Sequence, residues 1–293
     1  KRGVTMASVL VKALVENSLI ISVVESRDLV NKVIKIHNLS PMGAAALGRA
    51  LTMASLMGAE LKNADDYLTA IIKGNGPLGT ITVCADGKGH VKGTVQNPVV
   101  ETVVREDGHL DVGAAVGKQG QLTVIKDIGL KQPYVGTSQL VNGEIAADFA
   151  YYFATSEQQP CGVTLGVGLQ NGKCKSAGGV FVQVLPNCDG KLLEQVETVM
   201  YAMDEMSYQF ENNTARQVIE KFFGSFSPVF TSERPVTYKC NCSKRKIDGI
   251  VRGLGKEEAQ SIIDDVGKIE VCCHFCGKKY VYTQSDADKL FEK

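Results

Sequence analysis

The 293-residue sequence carries no net charge, because 32 basic side chains balance 32 acidic ones. Nothing global therefore points to a nucleic-acid or anionic-membrane partner. No apolar run approaches the roughly 20 residues that a membrane-spanning helix needs, so no membrane partner is expected. Solenoid-type repeats are absent. A secretory signal is not expected: "KRGVTMASVLVKALVENSLIISVV" starts basic and turns apolar, but Lys12, Glu16 and Asn17 interrupt it. "GNGPLG" lacks the Lys-Ser/Thr of a phosphate loop and the spacing of a dinucleotide fingerprint, and reads as a β-turn built on Pro77. Cys161 with His37, His90 or His109 carries no local signature of a thiol nucleophile. Nor does "CHFC" precede a helix inside a βαβ unit, so no enzyme is expected.

What is present is ordinary globular composition, with 44% apolar and 22% charged residues, in a chain long enough for two domains. "VLVKALV" and "LIISVV" read as adjacent strands around the turn "ENS". "SPMGAAALGRALTMASLMGAELK" reads as a helix capped by Ser40 with Pro41 at its first position. The strands "YLTAIIKG", "GTITVCAD", "HVKGTVQ" and "QLTVIKD" follow, then a helix over "GEIAADFAYYFATSEQ" and the strands "GVTLGVGL" and "GVFVQVLP". Runs of strands broken by a few helices predict an α+β domain over residues 1–186.

A helical linker is expected over 187–235. Within it, "DGKLLEQVETVMYAMDEMSYQF" places Leu192, Val196, Val199, Met203, Met206 and Phe210 on one helical stripe. A shorter helix, "TARQVIEKFFG", comes next, and the breakers in "GSFSPVFTSERP" set a boundary near Pro235. Residues 236–293 are expected to form a small domain: a strand "VTYK", helices over "SKRKIDGIVRGL" and "KEEAQSIIDDV", a hairpin "KIEVCCHFCGKKYVYT", and a last helix from Ser285, where "SDAD" has capping-box spacing.

Nine cysteines accompany this plan. Cys84, Cys161, Cys174 and Cys188 are scattered, whereas Cys240, Cys242, Cys272, Cys273 and Cys276 crowd the C-terminal region. Cys240 and Cys242 form C-x-C and Cys273 and Cys276 form C-x-x-C, a pattern suited to one tetrahedral Zn2+ held by all four cysteines. In "CHFCG" the glycine lets the chain turn so that its amides face the sulfurs. Cys273 has the knuckle spacing, leaving Cys272 as a spare thiol and His274 solvated. Lys239, Lys244, Arg245, Lys246, Lys278 and Lys279 flank the ligands and would offset the −2 charge of four thiolates on Zn2+. A metal cross-link suits a domain too small to build a strong core. A zinc ribbon that binds nucleic acid competes with this reading, but Glu257, Glu258, Asp264 and Asp265 lie in the same unit and no basic stripe with interleaved aromatics is found.

With these motifs in place, the sequence resembles the heat-shock protein 33 family of redox-regulated holdase chaperones. The C-x-C, a spacer of about thirty residues and C-x-x-C are that family's hallmark. "SPMGAAALGRAL", "GNGPLGTITVCADGKGHVKGTVQNP", "AVGKQGQLTVIKDIGLKQPYVG", "GEIAADFAYYFATSEQQP" and "SAGGVFVQVLP" resemble its segments in order. The resemblance implies a cytoplasmic, ATP-independent chaperone, held inactive by zinc on Cys240, Cys242, Cys273 and Cys276. It further implies that oxidation joins Cys240–Cys242 and Cys273–Cys276 and expels the metal. The terminal domain would then unfold and the linker would loosen, exposing apolar surface to unfolding client proteins. Active forms are implied to be homodimers. The three methionines Met200, Met203 and Met206 suit adaptable contacts, which makes the linker stripe the candidate client-binding surface.

Overall fold

The computed structural model of the protein describes residues 8–186, 188–203 and 206–292. The chain forms two compact units, Lys1–Tyr238 and Lys239–Lys293.

In the first unit, β1 (Val9–Val15) and β2 (Leu19–Glu25) pair antiparallel. Glu16 and Asn17 take left-handed conformations, which turns the chain tightly between them. Helix α1 (Arg27–His37) buries Leu29, Val30 and Val33, a spacing the strand-biased sequence reading passes over. Helix α2 (Pro41–Gly58) starts as expected, with Ser40 accepting from the Gly43 amide and Pro41 in the first turn. Its buried residues surround the axis, which is the signature of a helix enclosed on all sides. α2 packs against strands of both large sheets, and this explains why so apolar and alanine-rich a segment is needed there. The chain then runs through β3 (Tyr67–Gly74), β4 (Thr80–Asp86), β5 (His90–Val95), α3 (Val112–Val116), β6 (Gly120–Asp127), β7 (Tyr134–Gln139), α4 (Ala146–Thr155), β8 (Cys161–Gln170) and β9 (Lys173–Val184).

Three linker helices follow: α5 (Gly190–Ala202), α6 (Met206–Asn212) and α7 (Ala215–Phe223). The sequence predicts one helix through 210, but α5 ends at Met203, whose ψ of 50° leaves the helical region. The predicted stretch 204–205 lies outside the described residues. α7 has the reciprocal cap expected of "TARQ": Thr214 accepts from the Gln217 amide and Gln217 accepts from the Thr214 amide.

The segment read as breakers contains a strand, β10 (Val229–Pro235), paired along β1. The strand β11 (Thr237–Tyr238), expected in the terminal domain, instead adds parallel to β5 in the first unit. The Tyr238 ring is buried, its hydroxyl donates to the Gly93 carbonyl (3.1 Å), and Lys32 donates to its carbonyl (3.1 Å). Two sheets result, ordered β10-β1-β2-β9-β8 and β11-β5-β4-β3-β6-β7. One face of the first sheet meets α2. Its other face forms a second core in which Val11, Ala13, Ile21, Val23, Val180 and Val182 pack against α5, α6 and α7.

The second unit consists of α8 (Lys244–Leu254), α9 (Lys256–Val266), the hairpin β12 (Ile269–Cys272) and β13 (Lys279–Tyr282), and α10 (Gln284–Phe291). Its core is small: Ile247, Val251, Ala259, Ile263, Ile269, Tyr280, Tyr282, Ala287 and Leu290. The cap of the last helix lies two residues earlier than the Ser285 that the capping-box spacing of "SDAD" predicts. Thr283 is the cap, exchanging hydrogen bonds with Asp286, because its backbone is already extended at the end of β13.

Candidate metal centre

Cys240 and Cys242 lie on irregular chain just before α8, and Ser243, the next residue, caps that helix by accepting from the Lys246 amide. Cys273 and Cys276 sit in the turn between β12 and β13. That turn closes through the Cys273 amide to the Lys278 carbonyl (2.9 Å) and the Gly277 amide to the Cys273 carbonyl (2.8 Å). Gly277 has φ of +69°, a conformation that favours glycine. The Lys278 amide reaches the Cys276 sulfur and the Cys242 amide reaches the Cys240 sulfur.

These two turns bring the four sulfurs within 4.8 Å of one another. The closest approaches run between the two motifs, with Cys240 Sγ 3.6 Å from Cys273 Sγ and Cys242 Sγ 3.4 Å from Cys276 Sγ. A tetrahedral ion with metal–sulfur bonds of about 2.3 Å holds its sulfurs about 3.8 Å apart. The donor set and its spacing thus fit a soft divalent ion, and the four cysteines are positioned to hold one. Cys272 pairs through its backbone with Lys279 on β13 and its thiol is exposed.

The electrostatics favour the same occupant. Burial pushes Cys276 up to about 12 and raises Cys240 as well. At Cys242 burial also acts upward, but the hydrogen bond from the Tyr280 hydroxyl (3.3 Å) and those from its sister thiols outweigh it and bring it down to about 7. Cys242 therefore ionises readily while Cys240 and Cys276 resist, and a dication resolves that crowding by favouring thiolates. Protons compete for the same sulfurs, so acidification is expected to weaken metal retention. In competition with a chromogenic chelating indicator, metal affinity should fall as the pH is lowered; an affinity independent of pH would argue against thiolate ligation.

Three of the flanking cations are engaged by neighbouring side chains. Lys279 pairs with Glu270 (2.7 Å), Lys278 lies over the Tyr280 ring, and Lys244 lies over the Tyr282 ring.

The structure places the stripe residues far from solvent. Leu192, Val196, Met203, Met206 and Phe210 are buried and Val199 is partly buried, all in the core beneath α5–α7. Sequence reasoning missed the receiving surface, which is made of glycines. A Cβ built on Gly178 would stand 2.4 Å from the Phe210 ring, and one on Gly166 would stand 2.3 Å from the Ser207 amide nitrogen. The signal was visible as repeated glycines in "GVTLGVGL" and "SAGGVF", which that reading treats as strand composition alone.

Fold and site together define a class: an α+β protein that carries a small unit whose four cysteines are positioned to hold a metal ion. The family model described as "Hsp33 protein" matches residues 8–283. A protein named 33 kDa chaperonin from Caldanaerobacter subterraneus subsp. tengcongensis is 41% identical over 270 residues, covering 92% of each chain. Another of that name from Alkaliphilus metalliredigens is 38% identical, covering 98% of this chain and all of its own. The crystal structure of the 33 kDa chaperonin (heat shock protein 33 homolog) from Thermotoga maritima superposes with a TM-score of 0.90 at 32% identity, over 98% of both chains. The chain belongs to the Hsp33 family.

Proposed function

We propose that the protein is an ATP-independent holdase chaperone switched by oxidation at Cys240, Cys242, Cys273 and Cys276. The observation that carries this reading is the convergence of four sulfurs in a unit whose own core is small. Family membership and the chaperonin names of its relatives support the chaperone assignment. Zn2+ bound at the four cysteines would supply a cross-link between the two turns.

In the reduced state the turns hold Cys240 and Cys242 beside Cys273 and Cys276, and α5–α7 keep the stripe covered. Oxidation joins Cys240 to Cys242 and Cys273 to Cys276. Each disulfide forms as two thiols give up two electrons and two protons, and a peroxide that accepts them leaves as two waters. The new bonds lie within each motif, whereas the closest contacts in the reduced site run between motifs. The switch therefore exchanges long-range links for local ones, and an ion held by the four cysteines would lose the thiolates that retain it. Residues 239–293 then unfold, the helices over 187–235 loosen, and Leu192, Val196, Val199, Met203, Met206 and Phe210 become available to unfolding clients. Homodimer formation on activation, a cytoplasmic setting, and the absence of nucleic-acid, membrane and enzymatic roles belong to the same proposal. Among the described residues, no helix is long and apolar enough to cross a membrane.

The test is to measure metal content and suppression of thermal aggregation of a model enzyme, without nucleotide, before and after peroxide treatment. Release of one zinc per chain together with the appearance of stoichiometric protection is expected. Equal protection before and after oxidation would refute the switch.

A further inference from the structure

A cleft of about 810 Å³ opens in the first unit along β8, lined by residues 164–172 on one side. β8 is the outer strand of its sheet and is hydrogen-bonded to β9 alone. One bond fixes which of its backbone groups are spent. The Val184 amide donates to the Pro160 carbonyl (3.1 Å), in register with the pairing of Cys161 opposite Gln183. In the antiparallel alternation, residues 162, 164 and 166 therefore bond to β9, while the N–H and C=O of Leu165 and Val167 point outward. Leu165 is only 8% exposed, and among the described residues these outward groups have no backbone partner. Arg49 lines the same cleft, and its buried Nε has no partner either.

We propose that this edge receives an extended segment of an unfolding polypeptide as an added strand. The proposal rests on the chaperone reading above and names how a client would be held. Two donor–acceptor sets spaced about 6.8 Å apart, twice the rise of a strand, match an extended main chain. That complement is independent of sequence, as a promiscuous binder requires. Alternate side chains of the guest would lie on Leu39, Ala44 and Met206, which line the cleft. Arg49 and Arg105 line the cleft but both pair with Glu144, so they add no charge preference to the backbone complement. Met203 and Met206 form part of the wall, so release of α5 and α6 widens the cleft as the stripe is uncovered.

The test uses the full-length oxidised protein and two labelled ten-residue peptides. One is rich in Val and Thr; the other has the same sequence with consecutive amides N-methylated, so that neither edge of the guest strand can donate. The parent peptide should bind about tenfold or more tightly than its methylated copy, the ratio expected for two lost backbone hydrogen bonds. It should also slow amide exchange at Leu165 and Val167. V167P removes an outward N–H without touching the β9 ladder, and should weaken the parent peptide similarly. If V167P fails to fold, the methylated peptide decides alone. Equal binding of both peptides would overturn the proposal. So would a V167P variant that loses only self-association, since the edge would then belong to a second copy. Methylation-insensitive binding with aggregation suppression intact sinks the added strand and spares the chaperone reading. Absence of any suppression sinks that reading itself.

Discussion

Stripping the metal from the reduced protein is expected to unfold residues 239–293 while leaving the first unit folded. A single core in a domain this small rarely supplies more than about 3–5 kcal/mol, and here it comprises nine buried side chains. Structural zinc in comparable peptides is worth about 10–16 kcal/mol of apparent folding free energy. The metal contribution exceeds the core's, so its loss decides the state of the unit. The two proposed disulfides close loops of only three and four residues, and such loops are worth about 1.5–2 kcal/mol each before strain is subtracted. Oxidation therefore resembles chelation in its effect on the fold. Hydrogen exchange read by mass spectrometry should show protection lost across α8 and α9 and kept across α2 and β3. Replacement of adjacent thiols sharpens the test. Cys273→Ser should reproduce the loss without chelator, whereas Cys272→Ser should leave protection unchanged, because the Cys272 thiol is exposed and outside the cluster. Persistent protection in α8 and α9 of the metal-free protein would remove the basis of the switch.

Much of this was legible locally. Ligand spacing in a thiolate site is a short-range pattern, and the knuckle spacing of "CHFC" separates Cys273 from Cys272 without any coordinates. The cap at Ser40 and the β12–β13 hairpin are likewise written in adjacent residues. The elements that escaped are of two kinds. β7 and β10 lie at or near sheet edges and are largely exposed, so no clean alternation marks them. β11 was legible as the strand "VTYK" but not its place: it is two residues long and pairs with β5, nearly 150 positions earlier, as the bond between Tyr238 and Gly93 shows. α1 is different: Leu29, Val30 and Val33 have helical spacing, and the signal was there to be used. The division of the chain also looks different in space. Sequence composition separates a linker from the domain before it, yet α5–α7 and β10 are built into the first unit's sheet.

That integration makes the seat of α6 a control point, and Gly178→Val is expected to produce a chaperone that protects clients without oxidation. Gly178 lies in β9 between β2 and β8. A Cβ there would meet three atoms of the Phe210 ring within 2.4–2.6 Å, closer than any side chain tolerates. Phe210 is itself 3% exposed and cannot shift without moving α6. Overpacking of this kind costs about 1–3 kcal/mol, which falls mainly on the sheet–helix contact because the ladders on both edges of β9 use only backbone. The substitution leaves Leu192, Val196, Val199, Met203, Met206 and Phe210 chemically intact, unlike truncation of the stripe, which would remove the proposed client surface along with its restraint. It also leaves the four cysteines untouched, so metal content should match the parent protein. Two readouts then separate cause from consequence. Exchange across α6 should rise severalfold in the reduced, metal-loaded variant, and aggregation suppression should appear in that same state. If α6 loosens and no suppression follows, exposure of the stripe is insufficient, and activity must depend on the melting of residues 239–293 instead.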